Sequence, residues 1–331
     1  MIANQTSKYR VGIVGISGYG GGEVLRYIAQ HPNFELVYAA GESSAGSKLI
    51  ERFPGLPQHL GQVVIQKWDL AALPQLDVLF ASLPTGESKP QLAAIPASTK
   101  VIDIGGDHRF QPGWEYGLAD IWPERLAGKS RIANPGCYPA ASLTALAPLA
   151  AAKLIEPAGI IIDAKSGISG AGRGGGSTFG FAEVNEDFSA YGLLKHAHVP
   201  EMTSALTELS GTSASITFTP HLLPMTRGIL ATCYARTTLA VSTEQCFDAA
   251  RSFYSGRSFV RVSTALPHTK WASGTNLVFV HYAVDTAKNL AIAIATIDNL
   301  GKGAAGQAVQ NANLALGLPA DTGLAAVSLW P

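Results

Sequence analysis

The run Val11-Gly12-Ile13-Val14-Gly15, followed at once by Ile16-Ser17-Gly18-Tyr19-Gly20-Gly21-Gly22-Glu23, constrains this chain more than any other stretch. The first five residues read as a buried strand, and the glycine-rich segment turns it into a helix carrying Leu25 and Ile28. Glycines at 15, 18 and 21 give GxxGxxG, a spacing that permits a tight turn and lets an anion approach a helix N-terminus closely. This is a variant of the dinucleotide fingerprint, although a purely structural turn can carry the same spacing. The surroundings extend the pattern. A second strand is expected over 34–40, and apolar runs at 63–65, 77–83 and 100–104 are separated by helix-length segments. Such alternation predicts a doubly wound α/β fold, with a parallel sheet covered on both faces.

At 331 residues, 47% hydrophobic and 15% charged, the chain can bury one large or two medium cores. Its formal net charge is zero and its basic residues are scattered, so it lacks the electrostatic footprint of a nucleic-acid binder. The expected partner is a small molecule. No apolar run approaches the ~18 residues of a membrane span, and the polar residues 1–10 lack the core of a signal peptide. Cysteines at 137, 233 and 246 are odd in number, widely spaced and outside any CxxC pair. They fit a reducing compartment, so a cytoplasmic location is expected.

The segment after the second strand, 41–48, is where such folds contact the adenosine ribose. Glu42 there argues for NAD, Ser43, Ser44 and Lys48 argue for NADP, and a solvent-facing Glu42 would argue for neither. Ser82-Leu83-Pro84 ends a strand where an open α/β sheet places its ligand crevice. Asp107 and Arg109, beyond the next strand, read as a loop ion pair.

Asn134-Pro135-Gly136-Cys137-Tyr138-Pro139 precedes a small, apolar helix-forming run, which puts Cys137 at a helix N-terminus. There the dipole favours a thiolate, the form that attacks carbonyl carbon; a buried structural cysteine is the alternative. Residues 166–177 are Gly, Ser or Ala except Ile168 and Arg173, too small to build a core. They form either an anion cradle or a flexible linker. His196 and His198 flank Ala197, with Pro200 and Glu201 opening a further helix. Either histidine can act as acid/base partner to Cys137, and no third residue at metal-ligand spacing accompanies them, so no metal is expected. Arg227 beside Gly228 is a candidate clamp for a carboxylate or phosphate. The sequence from 215 predicts a strand, a bend and a second strand, and alternating runs at 259–262, 276–284 and 290–297 complete an antiparallel or mixed sheet. The segment 298–317 reads as an Ala-rich helix whose small face allows a close helix contact, and its glycine-rich entry with Asn299 suits a cofactor ring.

NPGCYP at 134–139, SGISGAGR at 166–173, HAHVPE at 196–201, PHLLPMTRGI at 220–229 and DNLGKGAAGQAVQNANLALG at 298–317 occur in one order. In these motifs the chain resembles the N-acetyl-γ-glutamyl-phosphate reductase family, within the aspartate-semialdehyde dehydrogenase superfamily. The resemblance runs from Val11 to Gly317. It implies a Rossmann-type NADP-binding domain over 1–137, an α+β catalytic and oligomerisation domain with a mixed sheet over 138–298, and a C-terminal segment, 299–331, whose helix returns to the Rossmann domain. It further implies arginine biosynthesis, a dimer or tetramer, inorganic phosphate as co-product, and a Cys137 thioester intermediate with His198 or His196 as acid/base. Cofactor candidates are then Gly15, Ser17, Gly18, Tyr19, Gly20, Gly21, Ser43, Ser44, Ser82, Pro84, Ser169, Gly170, Asn299 and Gly303, with NADP(H) favoured over NAD(H). Substrate candidates are Asn134, Ser166, Gly172, Arg173, Glu201 and Arg227. Two departures stand out: Ala197 replaces the basic residue common between the two histidines, and the glycine turn reads Gly18-Tyr19-Gly20-Gly21-Gly22-Glu23 where the family usually has GYTGAE. Cys233 and Cys246 match no family motif and are expected to be structural. The same chemistry on aminoadipyl or aspartyl phosphate, and a non-catalytic dinucleotide binder, are the alternative readings.

Overall fold

A computed structural model describes residues 8–173, 179–238 and 240–329. Residues 174–178, part of the expected cradle, lie outside it, as do 1–7. The chain divides into two compact units, one of residues up to Asn134 together with Ala304–Leu324, the other of Pro135–Gly303 with residues from Ala325 onward.

The first unit begins with β1 (Tyr9–Val14), α1 (Tyr19–Ile28) and β2 (Phe34–Ala40). The short helices α2 (Leu49–Arg52) and α3 (Gln58–Gly61) follow, then β3 (Val78–Ala81), α4 (Ser88–Leu92), β4 (Lys100–Asp103), β5 (Glu115–Tyr116) and β6 (Arg131–Ala133). All pairings are parallel, in the order β2-β1-β3-β4-β6-β5. β3 is buried at every residue, the signature of a strand covered on both faces. Residues 63–65, expected as a strand, form none. Val64 is half exposed and makes only an isolated bridge to Lys48, so the run is apolar without a ladder to join. Asp107 accepts from the N–H groups of Gly86, Ser88 and Lys89, anchoring the start of α4.

The second unit opens with α5 (Cys137–Ala151), which is buried at all but its first and last residues. A helix apolar on every side belongs inside a core. Next come β7 (Ile160–Gly167), α6 (Phe181–Val184), β8 (Ser189–Ala190), α7 (Val199–Ser210), β9 (Ile216–Leu223) and β10 (Ile229–Arg236). α8 (Thr243–Phe253), β11 (Val260–Val262), α9 (Thr269–Ala272), β12 (Val278–Asp285) and β13 (Leu290–Ile297) complete it. The sheet order is β11-β12-β13-β10-β7-β9-β8, with parallel pairs at β11/β12 and β7/β9 and antiparallel pairs elsewhere. α5 packs on β10, β12 and β13 and against α7 and α8. The strand, bend and second strand expected from 215 onward are present as β9, a bend over 224–227 and β10; β9 runs through Pro220, which lies opposite Ala164. The ladder loses one N–H there, while the Pro220 carbonyl still accepts from Tyr191.

After a π-helical turn over Gly301–Ala305, α10 (Gly306–Ala315) belongs with the first unit and packs on β4 and α1. Its Gln307, Gln310, Asn311 and Asn313 are all buried. Gln307 donates to the Gly117 carbonyl, Gln310 to Asp120 and Asn311 to Asn134. No helix among the described residues is long and apolar enough to cross a membrane.

Candidate active site

In the first unit the glycine turn joins β1 to α1. Gly15 has φ +83°, and a side chain there would collide with the Ser82 carbonyl. Gly18 donates back to the Gly15 carbonyl at 3.1 Å, and a Cβ at Gly21 would strike that same carbonyl. Ser82, whose N–H donates to Val14, therefore backs the turn, and its hydroxyl faces Gly20. Tyr19 is the first residue of α1 and partly exposed, and Pro84 lies exposed beyond β3. The turn is thus packed too closely for side chains at 15 and 21, which lets it pass tightly from β1 into the start of α1.

Beyond β2, the Ser44 hydroxyl is buried and pairs with that of Ser17 at 2.5 Å, while Ser43 is exposed. Glu42 points outward toward Lys67 at 3.9 Å, both largely solvated. Lys48 reaches Gln62. Arg52, on α2, donates to the Ser17 carbonyl at 3.2 Å, and its buried Nε has no protein acceptor. Sequence reasoning missed Arg52, which is separated from the glycine turn by 35 residues; its only local signal is a cation one helical turn beyond Lys48.

Asn134 is fully buried. Its side chain donates to the Ala304 carbonyl and accepts from Asn311, and its carbonyl accepts from Arg109. These bonds make it a tie within the first unit.

In the second unit Cys137 is the first residue of α5 and partly exposed, where the helix dipole favours a thiolate. A Cβ on Gly136 would run into the His198 imidazole, so that ring lies directly against the backbone preceding the sulfur-bearing residue. A Cβ on Gly303 would come within 2.8 Å of the Cys137 Cβ. His198 occupies the position just before the first residue of α7. His196 instead sits among Tyr138, Tyr191 and Phe218, ring centroids 5.6, 5.6 and 5.1 Å away, and its Nδ1 accepts the His198 N–H at 3.1 Å. Glu201 is buried and accepts the Gly136 N–H at 3.0 Å. Burial pushes the Tyr138 hydroxyl strongly upward and that of Tyr191 up to about 12, so both stay neutral in their mutual 3.1 Å hydrogen bond. Burial likewise raises Cys233 to about 12 and Cys246 to about 11, which leaves them as thiols.

Ser166 and Ser169 are buried, whereas Gly170, Gly172 and Arg173 are exposed. Asn299 donates to the Ser169 hydroxyl and accepts the Gly228 N–H, fixing both loops. Arg227 is 3.4 Å from the buried Asp298 carboxylate, which also accepts N–H groups from Gly274, Leu300 and Gly301. Asp298 was missed by the sequence reading; its signal is an acid ending the otherwise apolar β13 run.

A profile described as the semialdehyde dehydrogenase NAD binding domain matches residues 10–129, and one described as the semialdehyde dehydrogenase dimerisation domain matches 137–299. An N-acetyl-gamma-glutamyl-phosphate reductase from Bradyrhizobium sp. (strain ORS 278) is 65% identical over 323 residues, covering 97% of this chain and 99% of that protein. The chain belongs to the N-acetyl-γ-glutamyl-phosphate reductase family. A family protein of the same name from Symbiobacterium thermophilum is 44% identical over 338 residues, 95% of this chain and 97% of its own. Among solved structures, aspartate semialdehyde dehydrogenase II from Vibrio cholerae, complexed with ASA, superposes with a TM-score of 0.75 at 20% identity, over 94% of this chain and 99% of that one. The NADP complex of aspartate semialdehyde dehydrogenase from Candida albicans gives 0.74 at 17% identity, over 93% and 98%. The fold is that of these dehydrogenases, and as a member of the reductase family the chain is an oxidoreductase with a dinucleotide-binding domain.

Proposed function

We propose that this protein converts N-acetyl-L-glutamyl 5-phosphate to N-acetyl-L-glutamate 5-semialdehyde and inorganic phosphate with NADPH, through a thioester on Cys137. The observation that carries the reading is the placement of Cys137 at the first residue of α5, with His198 packed on the backbone immediately before it. The Cys137 sulfur bonds to the acyl carbon, the carbon–oxygen bond to phosphate breaks, and phosphate leaves with the electron pair. NADPH, when bound, supplies the hydride that reduces the thioester. The N-terminal end of α5 stabilises negative charge on the substrate oxygen, and His198 donates a proton to it. When the carbon–sulfur bond breaks, His198 takes that proton back, the carbonyl re-forms, and Cys137 leaves as thiolate. His196, flanked by aromatic rings, holds the chain at His198 by accepting the His198 backbone N–H.

The glycine turn fits a dinucleotide, because side chains at Gly15 and Gly21 would strike the Ser82 and Gly15 carbonyls and break the tight strand-to-helix turn that presents the start of α1. NADP is favoured over NAD by the Ser17–Ser44 pair and Arg52, with Glu42 directed away toward Lys67. The matched dimerisation domain supports a homodimer, and three cysteines outside any disulfide suit the cytoplasm.

The test is NADP⁺ reduction by purified protein with N-acetyl-glutamate semialdehyde and phosphate, beside Cys137→Ser and with aspartate semialdehyde as comparison. Phosphate-dependent turnover that vanishes in Cys137→Ser supports the assignment. Turnover confined to aspartate semialdehyde, or none in a folded protein that binds dinucleotide, rejects it.

A further inference from the structure

Glu201 lies in the first turn of α7, three residues after His198, with its side chain withdrawn completely from solvent. A carboxylate that deep persists only when its oxygens are bonded or paired. Oε2 accepts the Gly136 N–H at 3.0 Å, and Oε1 lies 3.9 Å from His198 Nε2. The same imidazole edge abuts Gly136, so carboxylate, ring and the backbone leading into Cys137 form one packed cluster. His198 is otherwise faced by Tyr138 from α5, at 5.9 Å between ring centroids, and by His196 from the preceding segment, at 4.6 Å. Tyr191 stands behind His196. With both tyrosines neutral, Glu201 is the carboxylate placed beside the ring.

We propose that Glu201 is a positioning residue for the Cys137–His198 pair. Through the Gly136 N–H it fixes the turn that presents the sulfur, and through its charge it holds the His198 ring and favours its protonated form. This rests on the assignment of Cys137 and His198 as nucleophile and acid/base, and it gives the buried carboxylate of the HAHVPE motif a task other than contacting substrate.

The charge, not the shape, is what distinguishes this role from a structural one. Glu201→Gln keeps an acceptor for Gly136 and removes the charge, whereas Glu201→Asp keeps the charge on a shorter stem. In protein with ¹³C-labelled histidine Cε1, the His198 resonance is assigned by its loss in His198→Asn and titrated by NMR. Cys137→Ser serves as background, so that no thiolate contributes. There the midpoint is expected above the ordinary value of ~6.5, because the neighbouring anion outweighs partial burial. Adding Glu201→Gln is expected to lower it by about one unit or more, with Glu201→Asp recovering part of the shift. With Cys137 intact, the pH limb of phosphate-dependent kcat is expected to move in step, while KM for the semialdehyde changes less than about threefold.

A folded Glu201→Gln with an unmoved His198 midpoint overturns the proposal and leaves Glu201 a structural tie. So does a midpoint below ~6.5 in Cys137→Ser alone, a result that needs no Glu201 variant to fold. The titration requires no substrate, so failure of the acyl-phosphate assignment registers only in the turnover assay.

Discussion

At the scale of single residues, the neighbourhood of Cys137 is defined by what is missing. Gly136 and Gly303 lack a Cβ where the His198 ring and Cys137 itself would otherwise be struck. Gly303→Ala must therefore displace Cys137 or its own backbone, an overpacking cost of about 1–3 kcal/mol. We expect kcat to fall at least tenfold, as read by steady-state kinetics. Asp298 is a comparable single point of dependence. Its buried carboxylate accepts N–H groups from Gly274, Leu300 and Gly301 and faces Arg227. Asp298→Ala should cost about 3 kcal/mol, the low end for breaking a buried pair, because Arg227 is partly exposed. Chemical denaturation checks this. The sequence marked Arg227 and Asn299 as ligand contacts, whereas the structure engages both with Asp298, Ser169 and Gly228. Those partners are up to 130 residues away, beyond the reach of any local pattern.

At the scale of elements, β1, the glycine turn and α1 were legible because each carries its own local signal: an apolar run, GxxGxxG, and helix-spaced apolar residues. Gly15→Ala would force a Cβ into the Ser82 carbonyl at positive φ. It should weaken dinucleotide binding at least tenfold without altering Cys137 alkylation by iodoacetamide. On α2, Arg52→Ala should weaken NADPH binding about 10–100-fold and leave NADH little changed, the loss of one charged hydrogen-bond donor to a phosphate. Titration with the two cofactors separates the cases. The strands β5, β6 and β8 went unrecognised because two or three residues cannot display a period. The opposite error fell on 63–65, where three consecutive β-branched residues make a single isolated bridge, at Val64, and no ladder. α10 was read through its alanines, yet its amides at 307, 310, 311 and 313 make long-range bonds.

At the scale of the whole molecule, the first unit is discontinuous, and a buried histidine helps to close it. His31 stacks on Phe34 and bonds Asn313 through Nε2, while Nδ1 accepts the Asn33 N–H; a Cβ at Gly323 would meet its ring. Burial lowers its pKa below the ordinary value of 6.5, against the opposing hydrogen bonds to Asn313 and Thr322. The unfolded chain therefore binds this proton first as pH falls. The stability that His31 contributes is complete above pH ~6.5 and is lost as pH drops through the folded-state value. Calorimetric melting of the wild type should show a decline below pH ~6.5 that is reduced in His31→Gln.

The sequence by itself determined the class of the fold and the chemistry available to it. Apolar runs, glycine spacing and the NPGCYP and HAHVPE motifs are local, and local signals survive in one dimension. Tertiary structure decided which of the paired histidines lies against Gly136, that Arg52 rather than Glu42 faces the glycine turn, and that Glu201 is bonded to the backbone beside the nucleophile. Each of these is a contact between segments 35 to 65 residues apart. Such contacts are set by which side chains a packed core forces together, a property of the whole fold and not of any stretch within it.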